Sequence, residues 1–250
     1  MRQERYKRMK RNFILALTLV VGVSLTAVAD QVTLTFSDPS GNNSGGVYTY
    51  PYNFAISSNS ITTATDVAMM CDTFVNDVTV LESWTANINA ITSAGTSGGL
   101  FAHKVFSSLN GVTYTSQAAY DAAGLIYLGA LGQGPLSSYI TSGTAITALS
   151  AGLANWAVWD LFDPGISDSY GTLPYSLATL SALDIEALGD VSGNTGYLDN
   201  IVVYTPTGAQ IGNGPQEFIG IDPVPEPASL LLLGSGLLAC AGVLRRKLRF

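Results

Sequence analysis

The chain has 250 residues, a formal net charge of −7 and 47% hydrophobic residues, too apolar for a disordered polymer and long enough for one domain with a sizeable core. Ten of its eleven Lys and Arg residues lie at the two ends, so that between Asp30 and Pro223 sixteen acidic residues face a single basic one, Lys104. A surface of that sign repels phosphate backbones and anionic head groups, which excludes a nucleic-acid partner.

At the N-terminus, Arg2, Arg5, Lys7, Arg8, Lys10 and Arg11 precede an apolar stretch, Phe13 to Leu25, and then Ala27-Val28-Ala29. Basic residues, a short apolar run and a small-x-small site make a secretory signal peptide over residues 1–29, recognised at Ala27 and Ala29 and handled by signal peptidase and the export machinery. The run is too short for a comfortable membrane span.

The body, residues 30–223, opens with strand character. Val32 to Phe36 alternates apolar residues with Thr, and Asp38 to Gly46 is a turn-rich loop. Val47 to Ile56 predicts a strand with an edge or bulge at Pro51, and Val67 to Val75 predicts another that carries Cys71. Val78 to Ile91 stays ambiguous: Trp84, Ile88 and Ile91 fit helical spacing, whereas its Thr and Val residues favour a strand. The period then changes. Ala118, Ala122, Leu125, Ile126 and Gly129 predict a helix behind caps at Thr115 and Ser116. A second helix is predicted from Thr144 through Trp156 and Trp159 until Asp163-Pro164-Gly165 stops it, and a third from Tyr175 to Leu188, ended by Gly189. Strand character returns at Asp199 to Tyr204, Gln210 to Ile211 and Glu217 to Ile221. Strands, helices, then strands in one domain predict an α+β fold, a β-sandwich or small barrel with an inserted helical lobe.

The tail carries its own pattern. Ala228 to Leu244 is an uncharged run that as a helix reaches about 25 Å, enough for a thin membrane. Arg245, Arg246 and Lys247 follow at once as a stop-transfer cluster that keeps the end in the cytoplasm and the body outside. Immediately before the run stand Pro225, Glu226 and Pro227. Pro-Glu-Pro, a short apolar helix and an arginine cluster over residues 224–250 resemble the PEP-CTERM sorting signal of Gram-negative bacteria. The resemblance implies recognition by an exosortase, a membrane cysteine protease. It implies export across the inner membrane, transient anchoring, then a cell-surface or extracellular place, with exopolysaccharide or surface matrix as partners. The prolines suit a substrate role, because they hold the backbone extended and lack N–H donors.

Cys71 after Met69-Met70, the segment Tyr120 to Ile126, and Asn155-Trp156-Ala157-Val158-Trp159 are similar to the thioester domains of bacterial surface adhesins, over residues 45 to 205. In those, a Cys is joined to a Gln in a Gln-x-Ala-Ile-Trp pattern, so the resemblance implies Cys71 and Asn155 as the pair. Asn155 stands where the family has Gln and is one methylene shorter, about 1.5 Å of reach. A packed strand and helix resist the shift needed to close that gap. Asn155 is therefore expected to hydrogen-bond locally, with Trp156, Ala157 and Trp159 in the core. Gln117 could substitute as acyl donor but lies at a helix start, where Gln is commonly solvated.

Other chemistry is sparse. Cys71 has no partner in the body, so no internal disulfide forms there and a buried thiol is expected. His103 is the single histidine, which leaves no triad and no transition-metal set. Asp160 with Asp163, and Asp184 with Glu186, could serve glycoside hydrolysis, but the first two read more simply as solvated helix-end caps. Asp190, Asn194 and Asp199 on a Gly-containing segment are the candidate calcium donors, although a polar turn is the preferred reading. No cofactor and no catalytic residue are expected. The leading reading is an exported structural or adhesive domain; a covalent adhesin and a secreted polysaccharide hydrolase are the alternatives.

Overall fold

The computed structural model describes residues 31–38, 43–58, 60–107, 111–140, 148–164, 166 and 174–222. The expected signal peptide with Ala27 and Ala29, and the sorting segment with Pro225, Glu226, Pro227, Arg245, Arg246 and Lys247, lie outside the described residues. Among the described residues no helix is long and apolar enough to cross a membrane.

Six antiparallel strands close into a barrel: β1 (Gln31–Asp38), β4 (Tyr52–Ser58), β5 (Ile61–Cys71), β10 (Phe218–Ile221), β9 (Ile201–Pro206) and β6 (Ser83–Ala90), which pairs back onto β1. Closure leaves none of these strands an unpaired edge. Of the two sequence-based options, the barrel is the one formed. Alternation dictates its lining. Val32, Leu34 and Phe36 of β1 and Tyr52, Phe54 and Ile56 of β4 are buried at every second position. Phe54 stacks edge-on to Phe218 at 4.6 Å and to Trp84 at 5.7 Å, so the interior is filled by rings. The ambiguous segment is strand from Ser83 to Ala90, and its period of two places Ala86 in the core beside half-buried Trp84 and Ile88. Two small hairpins, β2 (Asn43–Ser44) with β3 (Val47–Tyr48) and β7 (Val105–Ser107) with β8 (Thr113–Thr115), lie outside the barrel. Pro51 follows a cis peptide bond at the entry to β4.

The helical lobe is inserted between β6 and β9: α1 (Ile91–Ala94), α2 (Ser116–Ala130), α3 (Ser137–Ile140), α4 (Ala148–Phe162) and α5 (Leu177–Asn194). Thr115 caps α2 by accepting from Ala118 N–H at 3.2 Å, as expected. Nearly all of α2 is buried because α1, α3, α4 and α5 surround it, and most of its residues are accordingly apolar. β9 is buried along its whole length, facing the barrel interior on one side and α1 on the other.

Three expectations are corrected. The third helix passes through Gly189 and continues to Asn194, because a glycine costs only about 1 kcal/mol inside an established helix. The strand with Cys71 begins at Ile61 and ends at Cys71 rather than running to Val75. Gln210 and Asn213 form a lone bridge closing a turn, because Gly208, Gly212 and Gly214 hold left-handed backbone there.

Candidate functional site

The end of the barrel where β5 meets β10 gathers the polar groups that the core would otherwise reject. Cys71 pairs with Phe218 in register, and one residue further Asp72 N–H donates to Glu217 C=O at 3.3 Å. That register sets two carboxyl side chains, both essentially without solvent exposure, at the facing ends of adjacent strands, one residue beyond each. Like charges so placed repel unless a proton is shared. Glu217 is the better-supplied partner. Tyr120 O–H donates to Oε1 at 2.5 Å, Leu100 N–H to Oε2 at 2.8 Å, and Thr205 and Asp72 also favour its ionised form. Burial raises Glu217, and these donors oppose the rise. Asp72 is pushed well above the carboxylate range, first by burial and then by the charge of Glu217. Thr73 O–H donates to Asp72 Oδ1 at 2.8 Å, whereas Oδ2 accepts no hydrogen bond. We assign the proton to Asp72, the less well supplied of the two carboxyls. Gly99 leaves room for the Tyr120 hydroxyl, with which a Cβ there would clash.

Cys71 lies beside this pair. Its thiol donates to Thr73 C=O at 3.3 Å, and its sulfur accepts Thr73 N–H at 3.4 Å. Burial and then Asp72 push the thiol well up, against the indole of Trp159 and the Thr73 backbone, so it is a poor nucleophile. Trp159 Nε1 makes no well-formed hydrogen bond even so. Asn155, fully buried on α4, is committed at both ends of its amide: Oδ1 accepts Tyr50 N–H at 2.7 Å and Nδ2 donates to Cys71 C=O at 2.8 Å. The side chain thus ties the helix to the strand end and to the chain before β4. A thioester from this pair would forfeit the Nδ2 contact, because that nitrogen is the leaving group.

A cavity of about 290 Å³ adjoins these residues, lined by Asp72, Phe74, Phe101, Trp159 and Phe162 together with exposed Lys104 and Asp163. Lys104 Nζ sits 5.5 Å from the Phe101 ring centroid. Asp163 is raised by burial and by Asp160, with Lys104 opposing.

A second acidic pair joins two helices. Asp184 of α5 is pushed well up by burial and by a hydrogen bond with Asp160 of α4, and its Oδ1 accepts nothing. The pairing differs from that read in the sequence: Asp160 is buried rather than a solvated cap, Asp163 is exposed beyond it, and Glu186 points to solvent. Residues 184 and 186 fall on different faces of a helix, whereas α4 and α5 pack face to face.

These shifts have one sign. Asp72, Glu217, Asp184, Asp121 and Asp163 all hold their protons more tightly in the fold than the ordinary carboxylate value. The folded state therefore binds more protons above about pH 4, and its stability is full below that range and falls as pH rises through the folded values. Thermal melts are expected to give a higher Tm at about pH 5 than at about pH 8, with the slope reduced in Asp184→Asn. A Tm that climbs over that interval would contradict the assignment.

Of the remaining sequence candidates, Gln117 is occupied structurally: Oε1 accepts Gly95 N–H at 3.0 Å, and Nε2 donates to Ile91 C=O and Asp121. His103 is exposed in a left-handed turn, its N–H donating to Gly95 C=O. The calcium candidates do not share a loop. Asp190 and Asn194 lie in the last turn of α5, where Asn194 Nδ2 donates to Asp190 C=O at 2.9 Å, and Asp199 follows a 3₁₀ turn, Thr195–Leu198. Among the described residues no three His, Cys, Asp or Glu side chains are placed to hold a metal ion. Sequence reasoning missed Asp72, Glu217 and Tyr120; the available signal was an acid directly preceding the apolar run Phe218-Ile219.

Residues 223–247 match the PEP-CTERM protein-sorting motif. No curated protein matches the chain. Among solved structures, the N-terminal thioester domain of fibronectin-binding protein SfbI from Streptococcus pyogenes is similar at a TM-score of 0.41 and 9% identity, over 81% of this chain and 97% of that one.

Proposed function

We propose that this chain is an exosortase-processed, exported surface or matrix protein whose barrel serves as a non-catalytic structural or adhesive module. The carrying observation is the sorting motif at residues 223–247, which implies exosortase processing and export. The body's chemistry supports the rest. Cys71 is buried with a raised thiol, and Asn155 is spent on backbone partners. Asp72 and Glu217 have essentially no solvent exposure, whereas glycoside hydrolysis needs two carboxyls flanking an open cleft. Sixteen acids against Lys104 suit a body that stays off anionic membranes and meets neutral exopolysaccharide or matrix.

Two measurements test this. Replacing Glu226 with Ala, in a host that has the exosortase, is expected to leave the protein in the membrane fraction; release at the parental level would overturn the sorting role. Intact mass of the exported body is expected to show full mass with one thiol that alkylates only after unfolding. A deficit of about 17 Da, the ammonia lost when an amide acylates a thiol, would instead favour the covalent adhesin if it vanished in Cys71→Ala.

A further inference from the structure

We infer that the sorting protease grips the motif while in contact with the barrel end, so that Tyr197 and Ile221 belong to the surface it recognises; this rests on the exosortase reading above. The last strand is fixed to its final residue. Ile221 pairs with Ile201, Tyr204 O–H donates to Ile221 C=O at 3.1 Å, and Asp222 N–H donates to Asn200 C=O at 2.9 Å. The sorting motif begins at the next residue, Pro223. Pro225 is three residues beyond Asp222, a reach of at most about 11 Å even when fully extended. A protease that holds an extended segment around that site is wider than this tether, so it meets the barrel.

The surface it would meet is suited to a protein. Tyr197 is 55% and Ile221 41% exposed, and Asp199 and Asn200 between them in sequence are also exposed. Aromatic and aliphatic groups bordered by polar ones are the composition of a contact patch. An anionic bilayer is the poorer occupant, because Asp199 and Asp222 would bring like charge to its surface.

The test measures the rate of tail loss in the exosortase-bearing host for the full chain, for Tyr197→Ser, for Tyr197→Ser with Ile221→Ser, and for each with roughly twelve Gly/Ser residues inserted between Asp222 and Pro223, about 20 Å of coil. At native spacing the double variant is expected to lose its tail about fivefold more slowly and the single variant to fall between, as for removal of interface anchors. Behind the linker all three are expected to be processed at one rate, which also shows that the substitutions have not spoiled folding or export. Equal rates at native spacing would overturn the contact while leaving the sorting reading intact. Retention of the tail in the unsubstituted chain would overturn both.

Discussion

Replacing Glu217 with Ala is expected to lower the unfolding free energy by about 3–5 kcal/mol, the cost of breaking a buried ionic cluster from one side. Four elements converge on this carboxylate: β10, which it immediately precedes, α2 through Tyr120, the segment before β7 through Leu100 N–H, and β9, whose Thr205 favours its ionised form. Truncation leaves the Tyr120 O–H buried and the half-buried Leu100 N–H without their acceptor. Each such orphan costs about 1–3 kcal/mol. Glu217→Gln keeps the volume but puts a donor where Tyr120 or Leu100 also donates, and is expected to recover only part of the loss. Urea titration followed by the fluorescence of Trp84, Trp156 and Trp159 reads both. A loss below about 1 kcal/mol in the Ala variant would mean that the carboxylate does not hold these elements together.

Asn155 carries the second large effect. Asn155→Ala removes the acceptor of Tyr50 N–H and the donor to Cys71 C=O in a site with no solvent exposure, with an expected loss of about 2–5 kcal/mol. Asn155→Gln supplies the residue that the thioester resemblance calls for, yet adds a methylene to a packed site, with an expected loss of about 1–3 kcal/mol. The same denaturant titration distinguishes the two. Parental stability in Asn155→Ala would show that the amide is not the tie between α4, β5 and Tyr50.

Periodicity carried most of the architecture. The β1 alternation from Val32 to Phe36 and the α2 cap at Thr115 act over a few residues, so they are legible without knowledge of the fold. The strand at Ser83–Ala90 was not, because its apolar residues satisfy both periods and only pairing with β1 and β9 decides between them. The end of α5 misled for a related reason. Gly189 is a stop signal by propensity, but nothing crowds it in the fold and the helix simply continues. The acidic site was the least legible. Tyr120 and Glu217 lie 97 positions apart, and the register of β5 against β10, which sets Asp72 beside Glu217, is a property of the closed barrel. Asn155, read from the sequence as a local hydrogen-bonding residue, instead bonds backbone groups 105 and 84 positions away, contacts that only the assembled fold brings together.

The measurement that bears most directly on the central claim is intact mass of the protein recovered from otherwise identical hosts with and without exosortase. The account predicts loss of the residues after Pro225-Glu226-Pro227 only where the enzyme is present, with the barrel from β1 to β10 intact in the released product. An unchanged tail in both hosts would contradict it and reduce the segment to an ordinary membrane anchor.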